Sequence, residues 1–268
     1  MVAMTGSAPS RGRLLAPAVV LVALLTVAGL GGLAVLRTEG ARVLPAEAPV
    51  PVLLVHGYGG STAEFRVMAP RLVAAGLQVV PVVLPERGTG DLRTAARALA
   101  RAARGTGADK VDVVGYSAGG VVARLWLREQ GGAGRARHVV LLGSPNHGAG
   151  LAAAAQELNP GRCLVACTQL VPGSPLLDAL NQGDETPAGP TWASVWSADD
   201  TVVTPPASAS LAGAVNVRLQ DVCPDAHVSH GELAADPLAV GLVIRALQGR
   251  LDQEPGERDC AGLRALGG

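Results

Sequence analysis

The sequence predicts an α/β domain built on a mostly parallel, doubly wound sheet with helices on both faces. Three observations carry that prediction. Short Val- and Leu-rich runs alternate with helical stretches of roughly a dozen residues, the pattern of repeated strand–crossover–strand units. Several of the runs, such as Val52–Val55 and Val139–Leu142, are wholly apolar, as strands covered on both faces are. Finally, Val111 to Leu127, VDVVGYSAGGVVARLWL, passes from such a run through Gly115-Tyr116-Ser117-Ala118-Gly119 directly into a helical pattern. A Gly-x-Ser-x-Gly between a strand and a helix has the form of a nucleophile elbow.

Composition narrows the options. The chain has 268 residues, enough for one sizeable domain with a tail at each end. With 49% hydrophobic and only 16% charged residues, disorder throughout is excluded. The formal net charge is zero, which gives no electrostatic footprint for nucleic acid. Aromatics at 2% leave no stacking platform for bases. We expect a monomer with no cofactor.

Residues 1–13 read as a cytoplasmic N-terminus, with Arg11 and Arg13 ahead of an uncharged run from Leu14 to Leu36. As a helix that run would be ~34 Å long, enough to cross a hydrocarbon core. The preceding arginines favour export of everything after it. We read 14–36 as an uncleaved signal anchor, with a cleaved signal peptide as the alternative, since Gly32-Leu33-Ala34 is a weak cleavage candidate. Residues 37–49 form a linker.

The folded domain is expected over 50–251. Val52–Val55 is a strand ending in the turn His56-Gly57-Tyr58-Gly59-Gly60, Phe65–Ala75 a helix stopped by Gly76, and Leu77–Leu84 the next strand. Asp91 caps a helix over Leu92–Arg104. Arg93, Arg97, Arg101 and Arg104 lie on its outer face, opposite Leu92, Ala95, Ala96, Leu99 and Ala103. Strands come next at His138–Leu142, Thr191–Trp196 and Ala214–Leu219, and Asp236-Pro237 opens a last helix. Residues 149–190 lack strand signals and read as an insertion or cap over the sheet. Residues 252–268 read as a polar tail. Four cysteines, Cys163, Cys167, Cys223 and Cys260, show no zinc-type spacing. In an exported domain they imply two disulfides with three possible connectivities. Cys163–Cys167 with Cys223–Cys260 is the favoured one, and four thiols the alternative.

In such a sheet ligands bind beyond the carboxyl ends of the strands. The segments just past the strands carry, in turn, His56-Gly57, Ser117, Ser144-Pro145-Asn146-His147, Asp199-Asp200, and His227 with His230. A nucleophile, an acid and a base thus occur in the order Ser, Asp, His. A serine hydroxyl needs an imidazole to take its proton, and the imidazole needs a carboxylate to fix its tautomer. Asp200 is the preferred acid and Asp199 the alternative. His230, farther past the last strand, is the preferred base, with His227 second. Ser144 and His147 are read as a structural turn rather than a second site, and no ligand set for a metal is apparent.

Pro51–Gly60, the Gly-x-Ser-x-Gly elbow, Gly143–Gly148 and Asp200-Thr-Val-Val-Thr-Pro together resemble the small secreted bacterial triacylglycerol lipases of the α/β-hydrolase superfamily. The resemblance covers roughly residues 50–250. It implies an α/β-hydrolase fold and hydrolysis of fatty-acyl esters by Ser117, Asp200 and His230. It further implies an oxyanion hole from the backbone N–H groups of Tyr58 and Ala118, and a structural role for His56. The commoner elbow of that family has His before the serine and often Met after it. Here Tyr116 and Ala118 stand there, which bears on pocket shape more than on the backbone donor. We expect the chain to act on a lipid-like ester and to contact the membrane through its N-terminal apolar segment. Acyl transfer, or cleavage of phospholipid or polyester esters, would use the same machinery. A catalytically silent fold used for binding is the alternative from another class.

Overall fold

The computed structural model describes residues 49–268. The expected N-terminus, the 14–36 helix and nearly all of the linker lie outside the described residues. Among the described residues no helix is long and apolar enough to cross a membrane.

Six parallel strands form one sheet: β1 (Pro51–Val55), β2 (Gln78–Val82), β3 (Val111–Tyr116), β4 (Ala136–Leu142), β5 (Thr191–Trp196) and β6 (Val215–Arg218), in the spatial order β2-β1-β3-β4-β5-β6. Successive strand residues face opposite sides, and each side is packed. Val52, Leu54, Val114, Val140 and Leu142 join one core, and Leu53, Val55, Val113, Val139 and Leu141 the other. This two-sided burial is why the central strands β1, β3 and β4 show no polar alternation, whereas the edge strand β6, Val215-Asn216-Val217-Arg218, does. The strand order turns back between β1 and β3, so a crevice is expected beyond their carboxyl ends.

The helices α1 (Met68–Ala74), α2 (Leu92–Gly105) and α3 (Ala118–Glu129) come after β1, β2 and β3. Asp91 caps α2 by accepting from the Thr94 N–H at 2.9 Å. Leu92, Ala95, Ala96, Leu99 and Ala103 are buried, and the arginines lie on the opposite, outer side. The helix expected over Phe65–Ala75 divides into a short 3-10 turn, Thr62–Phe65, and α1. Ser61 accepts from the Ala63 N–H at 3.3 Å and starts that turn separately.

Residues 149–190 carry no strand; they fold as α4 (Gly150–Leu158), a turn at Pro160–Arg162, α5 (Val165–Gln169) and α6 (Pro175–Asn181). After β6 come α7 (Leu219–Val222) and α8 (Pro237–Leu247), the latter capped by Asp236. The stretch read as a polar tail is corrected: Cys260–Gly267 forms a further helix, α9, packed on α8 with Leu263 buried. The reason is close approach. The Leu263 carbonyl sits where a Cβ on Gly241 would be, at 2.0 Å, so a glycine on α8 and one leucine on α9 suffice to dock a helix whose other residues are mostly polar or small. Disulfides join Cys163 to Cys167 and Cys223 to Cys260, the favoured pairing, and the second ties α9 to the segment after α7.

Candidate active site

β3 runs into the core and stops at Tyr116. The next residue, Ser117, has φ 53° and ψ −128°, a backbone conformation that L-residues hold only where the surroundings impose it. α3 then begins at Ala118. The flanking glycines are required by contact. A Cβ on Gly119 would sit 2.2 Å from the Val55 carbonyl oxygen, and one on Gly115 would sit 2.5 Å from Cα of Gly120. The turn therefore nests against the end of β1 and lifts the Ser117 side chain beyond the sheet.

Three side chains from three strand ends meet there. His230 Nε2 lies 3.0 Å from Ser117 Oγ, and His230 Nδ1 lies 2.7 Å from Asp200 Oδ2. Asp200 is held from its other oxygen: Oδ1 accepts from the N–H groups of Val202 and Val203 at 2.8 and 2.9 Å. With the Nδ1 proton directed at the carboxylate, Nε2 is left to accept the serine proton. His230 and Asp200 are both buried. The competing pair makes no hydrogen bond to Ser117, whose Oγ meets His230. Asp199 Oδ2 and His227 Nδ1 lie 3.0 Å from each other, with side chains 46% and 86% exposed.

The turn after β1 lies against the same serine, since a Cβ on Gly57 would come within 3.0 Å of the Ser117 Cβ. Tyr58 is next to Gly57 in this turn. Ala118 is the first residue of α3, so its N–H has no intrahelical acceptor. The turn is held from several sides. His56 Nδ1 donates to the Gly57 carbonyl at 2.9 Å, and its Nε2 accepts from the Leu84 N–H at 3.3 Å. The Gly57 N–H donates to Glu64 Oε2 at 3.0 Å, and Arg87 Nε donates to the Gly60 carbonyl at 3.3 Å.

Glu64 and Arg87 were not singled out by sequence reasoning, and Tyr116 was noted only for its bearing on pocket shape. Tyr116 matters most. Its hydroxyl donates to the His230 backbone carbonyl at 2.9 Å, and its ring centroid lies 5.4 Å from that of His230. Burial, with the Glu64 and Asp200 charges nearby, pushes its ionisation well above the usual tyrosine range, so the donor is always protonated. The partners are 114 positions apart, and no spacing rule links them. The one available signal is Tyr in the elbow where the resembling family has His. If His230 acts as a base, Tyr116→Phe is expected to lower kcat about tenfold with KM nearly unchanged, because the His230 carbonyl loses its buried donor. Steady-state kinetics beside a thermal melt would check this; a rise in KM alone would argue against it.

Behind the elbow, Arg124 of α3 is buried and donates to the Asn146 carbonyl at 3.3 Å and to Asn181 Oδ1 at 2.8 Å. Burial pulls its pKa down to about 10, which leaves it charged at neutral pH. It ties α3, the helix that follows Ser117, to the 143–148 turn and to α6. Ser144 Oγ donates to the Gly115 carbonyl at 3.4 Å, while His147 Nε2 meets Glu185 Oε1 at 2.8 Å on the other side of the turn. The two residues thus serve separate contacts. Among the described residues one group of metal-type donors occurs, Cys223, Asp225 and Cys260, but its two sulfurs are joined in the disulfide.

A cavity of about 220 Å³ opens beside Ser117, walled by Tyr58 from the β1 turn, by Ala149, Leu151 and Ala155 from the insertion, and by Val202 and Val203 from the Asp200 loop. Its wall is mostly apolar. Residues 149–190 therefore contribute one side of this cavity.

Residues 50–162 match a family model described as the alpha/beta hydrolase fold. Among solved structures, Aspergillus fumigatus lipase B is similar at a TM-score of 0.65 and 21% identity, over 82% of this chain and 61% of that one. The chain thus spans about three fifths of the length of that lipase. Bacillus licheniformis lipase BlEst2 in mature form gives a TM-score of 0.62 at 20% identity, over 76% of this chain and 94% of that one. MGS-MChE2, an alpha/beta hydrolase enzyme from a metagenome of Moroccan lagoon sediments, gives 0.54 at 19%, over 74% and 90%. No curated protein matches the chain. At these identities the likeness shows the fold, and the chain has the α/β-hydrolase fold.

Proposed function

We propose that the chain is a serine hydrolase cleaving carboxylic esters of lipid-like substrates. The observation that carries this reading is the unbroken hydrogen-bonded line from Asp200 through His230 to Ser117, ending at an apolar cavity. Ser117 Oγ attacks the acyl carbonyl as His230 Nε2 takes its proton. Asp200 holds the imidazole in the accepting tautomer and stabilises the cation formed. The Tyr58 and Ala118 N–H groups receive the oxyanion, where donors fixed in advance lower the barrier most. His230 then returns the proton to the departing alcohol, and water activated by the same imidazole releases the acid from the acyl-enzyme. The apolar wall suits an acyl chain, whose burial contributes about 0.8 kcal/mol per methylene.

An extracytoplasmic site of action is part of the proposal. Its support is the pair of disulfides, which persist in oxidising compartments, together with the apolar run expected at 14–36.

The test is turnover of p-nitrophenyl esters from acetate to palmitate by the full, oxidised chain, beside Ser117→Ala. Hydrolysis that rises with chain length and vanishes in the variant is expected. A preference for acetate would move the reading to a short-chain esterase. Equal turnover by the variant would overturn Ser117 as nucleophile.

A further inference from the structure

The cavity beside Ser117 has one charged residue in its wall, Arg162. Among the described residues no acidic side chain lines the cavity with it. Among the same residues the arginines in ion pairs are Arg93, Arg97, Arg137, Arg218, Arg245, Arg258 and Arg264. Arg162 is not one of them. Arg162 is exposed while it lines this cavity, so its charge stands where the apolar space meets solvent.

The backbone that carries Arg162 is tied down. The Arg162 N–H donates to the Asn159 carbonyl at 3.0 Å, and the Cys163 N–H to that of Pro160 at 3.2 Å. The next link in the chain is the disulfide to Cys167, which lines the same cavity. α5, which carries Cys167, is itself anchored: the Ala166 N–H donates to the Thr89 carbonyl at 3.0 Å, and Gln169 bonds both the Leu92 N–H and Asp91 at 2.8 Å. The disulfide thus connects the turn bearing the guanidinium to the wall of the core.

We propose that Arg162 is a specificity-determining residue that binds an anionic group of the substrate, a carboxylate or a phosphate, while the apolar wall holds its chain. This rests on the hydrolase reading and names the substrate class within it: esters carrying a negative charge. A guanidinium offers two parallel donors to either anion.

Two arms distinguish the sources of charge. For a charge on the acyl side, kcat/KM is compared for the p-nitrophenyl monoester of suberic acid and for its methyl-capped counterpart. For a charge on the alcohol side, dioctanoyl phosphatidic acid is compared with dioctanoylglycerol. In at least one arm the parent prefers the anionic ester, Arg162→Gln lowers that preference about tenfold, and Arg162→Lys restores part of it. Independently of turnover, a fluorescent long-chain fatty acid is expected to bind Ser117→Ala about tenfold more tightly than its methyl ester, and to lose that advantage when Arg162→Gln is added. Preferences and affinities unchanged by Arg162→Gln, in a variant that melts with the parent, would overturn the proposal. A parent without turnover that still shows the Arg162-dependent affinity would instead remove the hydrolase reading and leave the anion site in place.

Discussion

Asp200→Asn is expected to lower kcat for ester hydrolysis roughly ten-thousand-fold, while Asp199→Asn changes it by less than about twofold. The two carboxylates are adjacent in sequence and each faces a histidine ring nitrogen at hydrogen-bond distance, 2.7 Å for Asp200 and 3.0 Å for Asp199. Their surroundings differ. Asp200 is 3% exposed, and both of its oxygens are engaged. An asparagine there keeps the shape but can present its NH2 to Nδ1. The imidazole would then carry its proton on Nε2 and face the Ser117 hydroxyl as a donor, unable to accept. Asp199 and His227 are solvated, and an exposed pair of this kind contributes little. Measuring kcat for both variants, with melting curves to confirm folding, decides between the acids. A large loss in Asp199→Asn alone would transfer the role to the surface pair.

How much could be read in the sequence depends on how locally each feature is encoded. The strands were legible because two-sided burial demands continuous apolar runs, and the elbow because its steric demands fall within five residues. Ser117, Asp200 and His230 were singled out through the order of strand ends, which topology converts into proximity. Choosing Asp200 over Asp199 needed the two valines after it, and their N–H groups are the ones that hold its Oδ1. The Arg87–Gly60 and Tyr116–His230 contacts escaped because the partners are 27 and 114 positions apart. α9 escaped for a different reason. Its helix shows one buried leucine and a cysteine among small residues and Arg264, with polar residues before it, and the surface that receives it is formed by Gly241, whose lack of a side chain gives no hydrophobic signal.

The second large effect is expected at Gly119. Gly119→Ala adds one methyl group 2.2 Å from the Val55 carbonyl oxygen and 2.7 Å from that of His56. Both neighbours are backbone, and Val55 ends a strand paired on both sides, so neither can swing away as a flexible side chain would. Accommodation requires α3 to withdraw from β1 or the elbow to unwind. The expected cost is about 3 kcal/mol, the upper end for overpacking a filled interior. Gly161→Ala is the control: nothing lies within 4 Å of its Cβ position, and a shift within about 0.5 kcal/mol is expected. Urea unfolding of both variants gives the comparison. Where Gly119→Ala still folds, its hydrolysis should fall further than its stability accounts for, because withdrawing α3 carries the Ala118 N–H and Ser117 away from the turn that bears Tyr58. A variant as stable and as active as the parent would mean that the elbow does not depend on this contact. The geometry of the proposed oxyanion donors would then have to be set elsewhere, by the bonds that Glu64, Arg87 and His56 make to the facing turn.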